Sequence, residues 1–242
     1  MTAYCTGAEL GYRRERTRFA PGAGLALDPR YRLAHLPLVA PDHPRVIPSL
    51  AGTPYDRGRH PPARSIVLPI PAEALEAAPA YRALEAALRA APFAGKVAWD
   101  LLPRRRDRLH ATLCGVSDGP APAPDRLAGL GSLAVELRGL FSGSVNVGRL
   151  YLTVHPERRV AENAVHAVQA ALGRPPSDLA LVGIWNLVDD LDPGEAAALG
   201  ALIDAWWERP ILRLTVDALW LLSARDDLVL DSEIEAVLPL TG

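Results

Sequence analysis

The sequence predicts an α+β fold in which two related lobes place antiparallel sheets around a central cleft, with helices on the outside. Two observations carry this prediction. Short apolar or alternating runs typical of strands are separated by stretches with helical spacing, and a strand–helix–strand unit occurs twice along the chain. The 242 residues, 49% hydrophobic and 22% charged, are enough to bury one sizeable core.

The first 62 residues differ in composition from the remainder. Prolines recur between Pro21 and Pro62 at a density that disfavours long helices and central strands. We therefore expect residues 1–62 to form an arm or lid over a main domain that covers residues 63–242. A partly disordered tail is the alternative.

The first strand–helix–strand unit opens the main domain. Residues 65–70 form a short apolar run typical of a buried strand, and residues 71–91 carry apolar side chains at helical spacing. A charged turn at 104–108 leads into a second strand at 109–113. Residues 133–139 alternate enough to predict a half-buried strand between the two units.

The second unit repeats this order. Residues 149–154 predict a strand, and residues 160–172 predict an amphipathic helix that ends at Gly173, the usual residue at a helix C-terminus. Residues 179–184 predict the strand that follows. The order matches that of the first unit and indicates an internal duplication.

The last part of the chain begins with a helix start signal. Asp192 and Glu195 have the spacing of a capping box, and the intervening proline favours the first helical position. The helix should extend to about Trp207. Residues 212–217 alternate as a strand does, and a turn at 225–227 precedes a final strand.

The run at 108–113, Arg-Leu-His-Ala-Thr-Leu, carries the main functional signal. Residues i and i+2 of a strand project to the same face, so His110 and Thr112 should emerge together. With this run, the duplicated layout and the tail at 212–222, residues 64–240 resemble the 2H phosphoesterase superfamily. The resemblance is greatest to the bacterial group of 2′-5′ RNA ligases and RNA 2′,3′-cyclic phosphodiesterases.

The resemblance implies an acid–base mechanism without a metal or other cofactor. In that family each half contributes one His-x-Thr motif to the cleft; one imidazole acts as the base, the other protonates the leaving oxygen, and the threonines hold phosphate oxygens. His110 would be the acid–base residue and Thr112 the phosphate anchor. Histidine suits this chemistry because a pKa of about 6.5 allows one ring to be neutral while its twin is charged.

The second unit departs from the family pattern. Placed in register, Leu179 corresponds to His110 and Leu181 to Thr112, and neither leucine can transfer a proton or bind phosphate. Losing one acid–base group typically costs on the order of a hundredfold to ten-thousandfold in rate.

Three hypotheses for the function remain open. The leading one is a hydrolase acting on a 2′,3′-cyclic phosphate or a 2′-5′ linkage at an RNA end or in a small nucleotide. The second is a catalytically silent relative that binds a nucleotide or another phosphorylated ligand. The third is a scaffold or interaction protein that keeps only the fold.

Four further residues are candidates for substrate contacts. Arg106 and Arg108 could guide an anionic substrate or belong to a solvated turn. His155 could replace the missing histidine or be a surface residue in a polar loop. Arg14, near tyrosines of the arm, could bring a cation over the cleft for single-stranded RNA or a nucleotide.

Composition argues against several other classes. A net charge of −2 and a pI near 6.3 disfavour a broad nucleic-acid-binding surface. Cys5 and Cys114 are expected to be reduced thiols of a cytoplasmic protein, because a disulfide-held secreted domain usually has more cysteines. We expect no membrane span, since no apolar run reaches about 18 residues. The histidines lack metal-ligand spacing, so no metal site is expected.

Overall fold

A computed structural model describes residues 2–116, 122, 124–160 and 162–242. In these residues the chain forms two four-stranded antiparallel sheets together with short and long helices, so the mixed α+β class is confirmed. The strands are β1 (Arg59–Pro69), β2 (His110–Val116), β3 (Leu133–Ser142), β4 (Arg149–Pro156), β5 (Leu181–Asn186), β6 (Pro210–Val216), β7 (Ala218–Asp226) and β8 (Ser232–Pro239). The helices are α1 (Pro29–Ala34), α2 (Leu36–Val39), α3 (Ala72–Ala77), α4 (Pro79–Arg89), α5 (Leu101–Arg104), α6 (Ala164–Ala171) and α7 (Pro193–Trp206).

The two sheets have comparable layouts. The strand order is β2–β1–β7–β8 in the first sheet and β5–β4–β3–β6 in the second. In each sheet a strand–helix–strand unit supplies one edge strand and its neighbour: β1 and β2 are joined through α3 and α4, and β4 and β5 through α6. The other two positions are filled by β7 and β8, or by β3 and β6.

One continuous apolar core joins the sheets to the helices. It includes Ile66 and Leu68 of β1, Leu152 of β4, and Leu84 of α4, all fully buried. Full burial of one such side chain contributes roughly 1.5–3 kcal/mol. Tyr31 of α1 belongs to the same core, so the proline-rich N-terminal segment packs as part of the main hydrophobic interior.

Several element boundaries differ from the sequence predictions. The predicted helix at 71–91 is two helices, because Pro79 cannot continue α3 and instead occupies the first turn of α4. Helix α6 begins at Ala164 rather than near 160, since the Asn163 side chain accepts from the backbone N–H groups of Val165 and His166 and caps it there.

Other local signals are confirmed. Asp192 and Glu195 form the complete capping box at the start of α7. Gly173 follows α6 with a φ of +67°, the left-handed conformation that ends many helices. Strand β1 begins earlier than predicted, at Arg59; its register shifts between Arg59 and Ala63, and such an irregularity is where a strand tolerates prolines.

Candidate functional site

His110 is the first residue of β2 and lies opposite Pro69 of β1. Its Nδ1 atom is 2.7 Å from the backbone carbonyl oxygen of Arg108. A carbonyl can only accept, so Nδ1 carries the proton and Nε2 is the basic nitrogen. Among the residues that the structure describes, none hydrogen-bonds to Nε2. The Arg108 carbonyl therefore fixes the His110 tautomer that a general base needs.

His110 and Thr112 line one cavity of about 230 Å³. The first sheet, through β1, β2 and β7, forms one side of it, and residues at the start of β4 and the end of α1 form the other. Thr112 is exposed and His110 half-buried. The cavity is also lined by the polar side chains of His35, His60, Ser65, Asn146, Arg149 and Asp227.

Arg149 brings a positive charge to this cavity. Its Nη1 donates to the His35 Nε2 atom at 3.2 Å and to the backbone carbonyl of Asp227 at 3.0 Å, while its Nε is buried without a partner. Among the described residues no carboxylate forms an ion pair with it. A guanidinium whose direct partners are neutral groups can pair with an anionic ligand in the cavity, which Asp226 and Asp227 also line.

A second guanidinium lies behind the first. Arg105 is 3% exposed and donates to the backbone carbonyls of Gly183 and Ile184. Burial, and then the charge of Arg149, lower the pKa of Arg105 to about 9. Within the described part of the chain, Arg105 also makes no ion pair with a carboxylate.

The protonation state of His110 follows from these surroundings. Although its surface is only half covered, packing around the ring lowers its pKa to about 4, and the charges of Arg149 and Arg105 act in the same direction. The hydrogen bond to Arg108 opposes the shift without cancelling it. His110 is therefore neutral near pH 7, which suits a proton acceptor and not a proton donor.

His35 supports Arg149 from the end of α1. The ring is fully buried and stacks on Tyr31 with 5.1 Å between the ring centroids. Burial first, and then the charge of Arg149, hold the pKa of His35 well below its usual value. A neutral His35 accepts the hydrogen bond from Arg149 and leaves the guanidinium charge uncompensated.

Asp226 and Asp227 give the cavity an acidic part. The Asp227 carboxylate accepts from the Tyr55 hydroxyl at 2.9 Å and lies 3.2 Å from the His60 Nε2 atom. Its neighbour Asp226 is buried and accepts from three backbone N–H groups of the β7–β8 turn. In that turn Val229 lines the cavity with a φ of +56°, a strained conformation for a β-branched residue and of a kind that clusters at functional sites.

The second lobe does not supply a matching pair. Strand β5 begins at Leu181, two residues later than predicted, and Leu179 precedes it with 39% of its surface exposed. Leu181 instead packs against an apolar cluster formed by the N-terminal segment and the second sheet: Cys5, Leu10, Tyr12, Phe141 and Tyr151.

Tyr12 fastens the N-terminal segment to the second sheet. It is 1% exposed, and its hydroxyl lies 2.7 Å from the carbonyl oxygen of Val154 and 2.8 Å from that of Ala180. The hydroxyl has a single proton, so it can donate a full hydrogen bond to only one of these two carbonyl oxygens at a time. The segment thereby covers the face of the second sheet that carries Leu181.

Removing this hydroxyl should loosen the segment. We expect Tyr12→Phe to lower the free energy of unfolding by about 1 kcal/mol, the usual worth of a buried hydrogen bond. Tyr4→Phe is the matched control, since no described residue hydrogen-bonds to the Tyr4 hydroxyl, and it should change stability by less than about 0.5 kcal/mol. Urea unfolding measures both; equal losses would show that the Tyr12 hydroxyl does not fasten the segment.

One of the two interpretations of His155 from the sequence, a surface residue in a polar loop, is wrong. His155 lies inside β4, not in a loop after it, and is fully buried. Its Nδ1 donates to the Cys5 carbonyl at 2.8 Å and its Nε2 accepts from the Thr153 hydroxyl at 3.0 Å. Burial lowers its pKa to about 4. The ring faces a small space that Tyr12 and Trp207 also line, and it does not line the cavity at His110.

The three candidate arginines do not line the cavity either. Arg14 pairs with Glu15 at 3.0 Å on the surface, and Arg106 pairs with Glu76 at 2.8 Å. Arg108 contributes through its backbone, whose carbonyl orients His110. Of the predicted site residues, the structure brings together only His110 and Thr112.

The sequence analysis missed the other polar residues of the cavity. His60 and Ser65 lie on β1, Arg149 begins β4, and Asp227 follows β7. Their separation along the chain leaves no spacing signal. The one local hint is Arg149, a single arginine at the start of a predicted strand, and it is a weak indication of a binding site.

The described residues show neither a metal site nor a membrane span. They contain no group of three or more metal-ligating side chains that could hold an ion. They also contain no helix with the length and apolar character needed to cross a membrane. Comparison of the sequence with family models and with curated proteins gives no match.

Proposed function

We propose that this chain is a 2H-like phosphoesterase that acts on a 2′,3′-cyclic phosphate or a 2′-5′ linkage at an RNA end or in a small nucleotide. One observation carries the proposal: His110 with its free Nε2, Thr112 and Arg149 line the same cavity. A base, a hydroxyl donor and an uncompensated cation are the groups that phosphate ester hydrolysis requires.

In this proposal His110 begins the reaction. Its Nε2 takes a proton from water, or from a neighbouring sugar hydroxyl, whose oxygen attacks phosphorus. The bond from phosphorus to the leaving oxygen breaks, that oxygen takes up a proton from solvent, and the protonated ring returns its proton to solvent. Thr112 donates to a phosphate oxygen, and Arg149 stabilises the negative charge that grows in the transition state.

In this proposal Arg149 stabilises the transition-state charge in place of the second His-x-Thr motif. In the resembled family a second His-x-Thr completes the cleft, and here Leu181 at that position packs under the N-terminal segment. A guanidinium cannot donate a proton readily, because its pKa is too high. Turnover should therefore rely on His110 as base and on electrostatic stabilisation, and should be slower than with an acid–base pair.

The second candidate function is phosphate-ligand binding without turnover. The covered face of the second lobe favours it, because no histidine there can protonate a leaving oxygen. Binding alone would use the same Thr112 and Arg149 contacts. The two functions differ in one measurable respect, namely whether product forms.

Substitution of Arg149 tests the site that both functions share. We expect Arg149→Gln to weaken binding of a 2′,3′-cyclic nucleotide tenfold to a hundredfold, since hydrogen bonds to a charged group are worth about 1.5–3 kcal/mol. Calorimetric titration measures the affinity. Arg14→Gln, the same charge change outside the cavity, should have no effect. Equal affinities for the two variants would show that the phosphate does not bind in this cavity.

A further inference from the structure

The proposed chemistry does not use the acidic part of the cavity. Asp227 contributes a carboxylate whose side chain is 31% exposed, and the cavity reaches from it to His110. A phosphate ligand would avoid a carboxylate, because like charges repel. Asp227 must therefore face a different part of the ligand.

The carboxylate is held in one orientation. The Tyr55 hydroxyl donates to Oδ2, and His60 lies against Oδ1. The rings of Tyr55 and His60 meet edge to face, with 5.4 Å between centroids. The other nitrogen of His60, Nδ1, is 2.7 Å from the Pro61 carbonyl, which fixes the plane of that ring.

Asp227 retains room to accept further hydrogen bonds. A carboxylate has about four acceptor positions on its two oxygens, and the Tyr55 hydroxyl fills one of them on Oδ2. At least one position on each oxygen therefore stays free. Two adjacent hydroxyl groups could donate one bond to each oxygen, and general experience with nucleotide sites shows carboxylates binding sugar hydroxyls in this way.

The size and lining of the cavity limit the rest of the ligand. About 230 Å³ is below the roughly 300–1,000 Å³ of sites that enclose a drug-sized molecule. Of the described residues lining it, none is Phe, Tyr or Trp, so it offers none of the rings on which nucleobases usually stack. A phosphate and one sugar fit the polar groups present.

We propose that Asp227 is the specificity-determining residue of this site and that it receives a free vicinal diol of a sugar joined to the phosphate. This inference rests on the proposed function. It selects among the proposed substrates, because a terminal 2′,3′-cyclic phosphate has no free 2′,3′-diol. A sugar attached through its 5′ oxygen, as on one side of a 2′-5′ linkage, keeps that diol free.

Two sugar phosphates that differ in one hydroxyl test the inference. Ribose 5-phosphate has the 2,3-diol and 2-deoxyribose 5-phosphate lacks it. We expect the wild-type chain to bind ribose 5-phosphate about tenfold more tightly. Asp227→Asn and Asp227→Ala should reduce the difference to threefold or less. Asp231→Asn, which removes a carboxylate that pairs with Arg59 outside the cavity, should preserve it.

Inorganic phosphate separates failure of this inference from failure of the proposed function. If phosphate binds through Arg149 but the two sugar phosphates bind equally, or the Asp227 variants keep the full difference, the diol assignment is wrong and the phosphate site stands. If the wild-type chain binds neither phosphate nor either sugar phosphate, the proposed function is wrong, and the diol assignment is wrong with it.

Discussion

Replacing His110 with alanine should reduce hydrolysis of a 2′-5′-linked dinucleotide by on the order of a hundredfold to ten-thousandfold. The ring is the only base assigned to the reaction, and general-base catalysis is typically worth that much. Single-turnover rates at saturating substrate measure the effect on chemistry apart from binding. Substrate affinity should change little, because Arg149 and Thr112 remain.

The matched control is a histidine on α6. His166 pairs with Asp178 at 2.9 Å and does not line the cavity, so His166→Ala should keep the wild-type rate. A rate that is unchanged in His110→Ala would exclude His110 as the base. Detectable binding with no turnover in the wild-type chain would instead favour the silent relative.

The pH dependence adds a second readout to the same prediction. Because burial and two guanidinium groups lower the pKa of His110 to about 4, the neutral form prevails above that pH. The rate should be level from about pH 5 to pH 8 and should fall about tenfold per unit below pH 4. A rate that rises through pH 6.5 would mean that the working base is an ordinary solvated histidine.

The parts of the fold and of the candidate site that the sequence predicts are those set by interactions between residues close together in the chain. The α7 capping box, the end of α6 and the shared face of His110 and Thr112 are set by residues within a few positions of one another. Such local signals predict correctly because propensity and geometry act over one or two turns of chain.

The rest of the cavity depends on contacts distant in the chain. Arg149 meets the Asp227 carbonyl, and Tyr55 meets the Asp227 carboxylate, across separations that no periodicity records. For His155 the local sequence predicts the wrong environment, because the arginines that follow it indicate a polar loop. The N-terminal segment buries it, through the Cys5 carbonyl, in a way that its neighbours in sequence cannot reveal.

Mild acid should destabilise the folded chain strongly, because three histidines are held neutral. The pKa values of His110 and His155 are lowered to about 4, and that of His35 lies well below its usual value. The unfolded chain binds a proton at each ring below about pH 6.5, whereas in the folded chain His110 and His155 resist protonation until about pH 4 and the pKa of His35 also lies below its usual value. The free energy of unfolding should therefore fall as the pH is lowered through this window.

One fully buried ring isolates the effect. For His155 the difference between 6.5 and about 4 corresponds to roughly 3 kcal/mol of stability lost on going from pH 7 to below pH 4. His155→Gln removes this titration while its amide can still donate to the Cys5 carbonyl and accept from Thr153. We expect the variant to be less stable than wild type at pH 7 and to lose less stability on acidification.

Urea unfolding at pH 7.0 and pH 4.0 measures the difference for each protein. The loss should be smaller by roughly 3 kcal/mol in His155→Gln than in the wild type, and His166→Gln should behave as the wild type does. Equal losses in all three proteins would mean that folding does not lower the pKa of His155. The N-terminal segment would then not exclude water from the His155 ring, because that exclusion is what keeps the buried ring neutral.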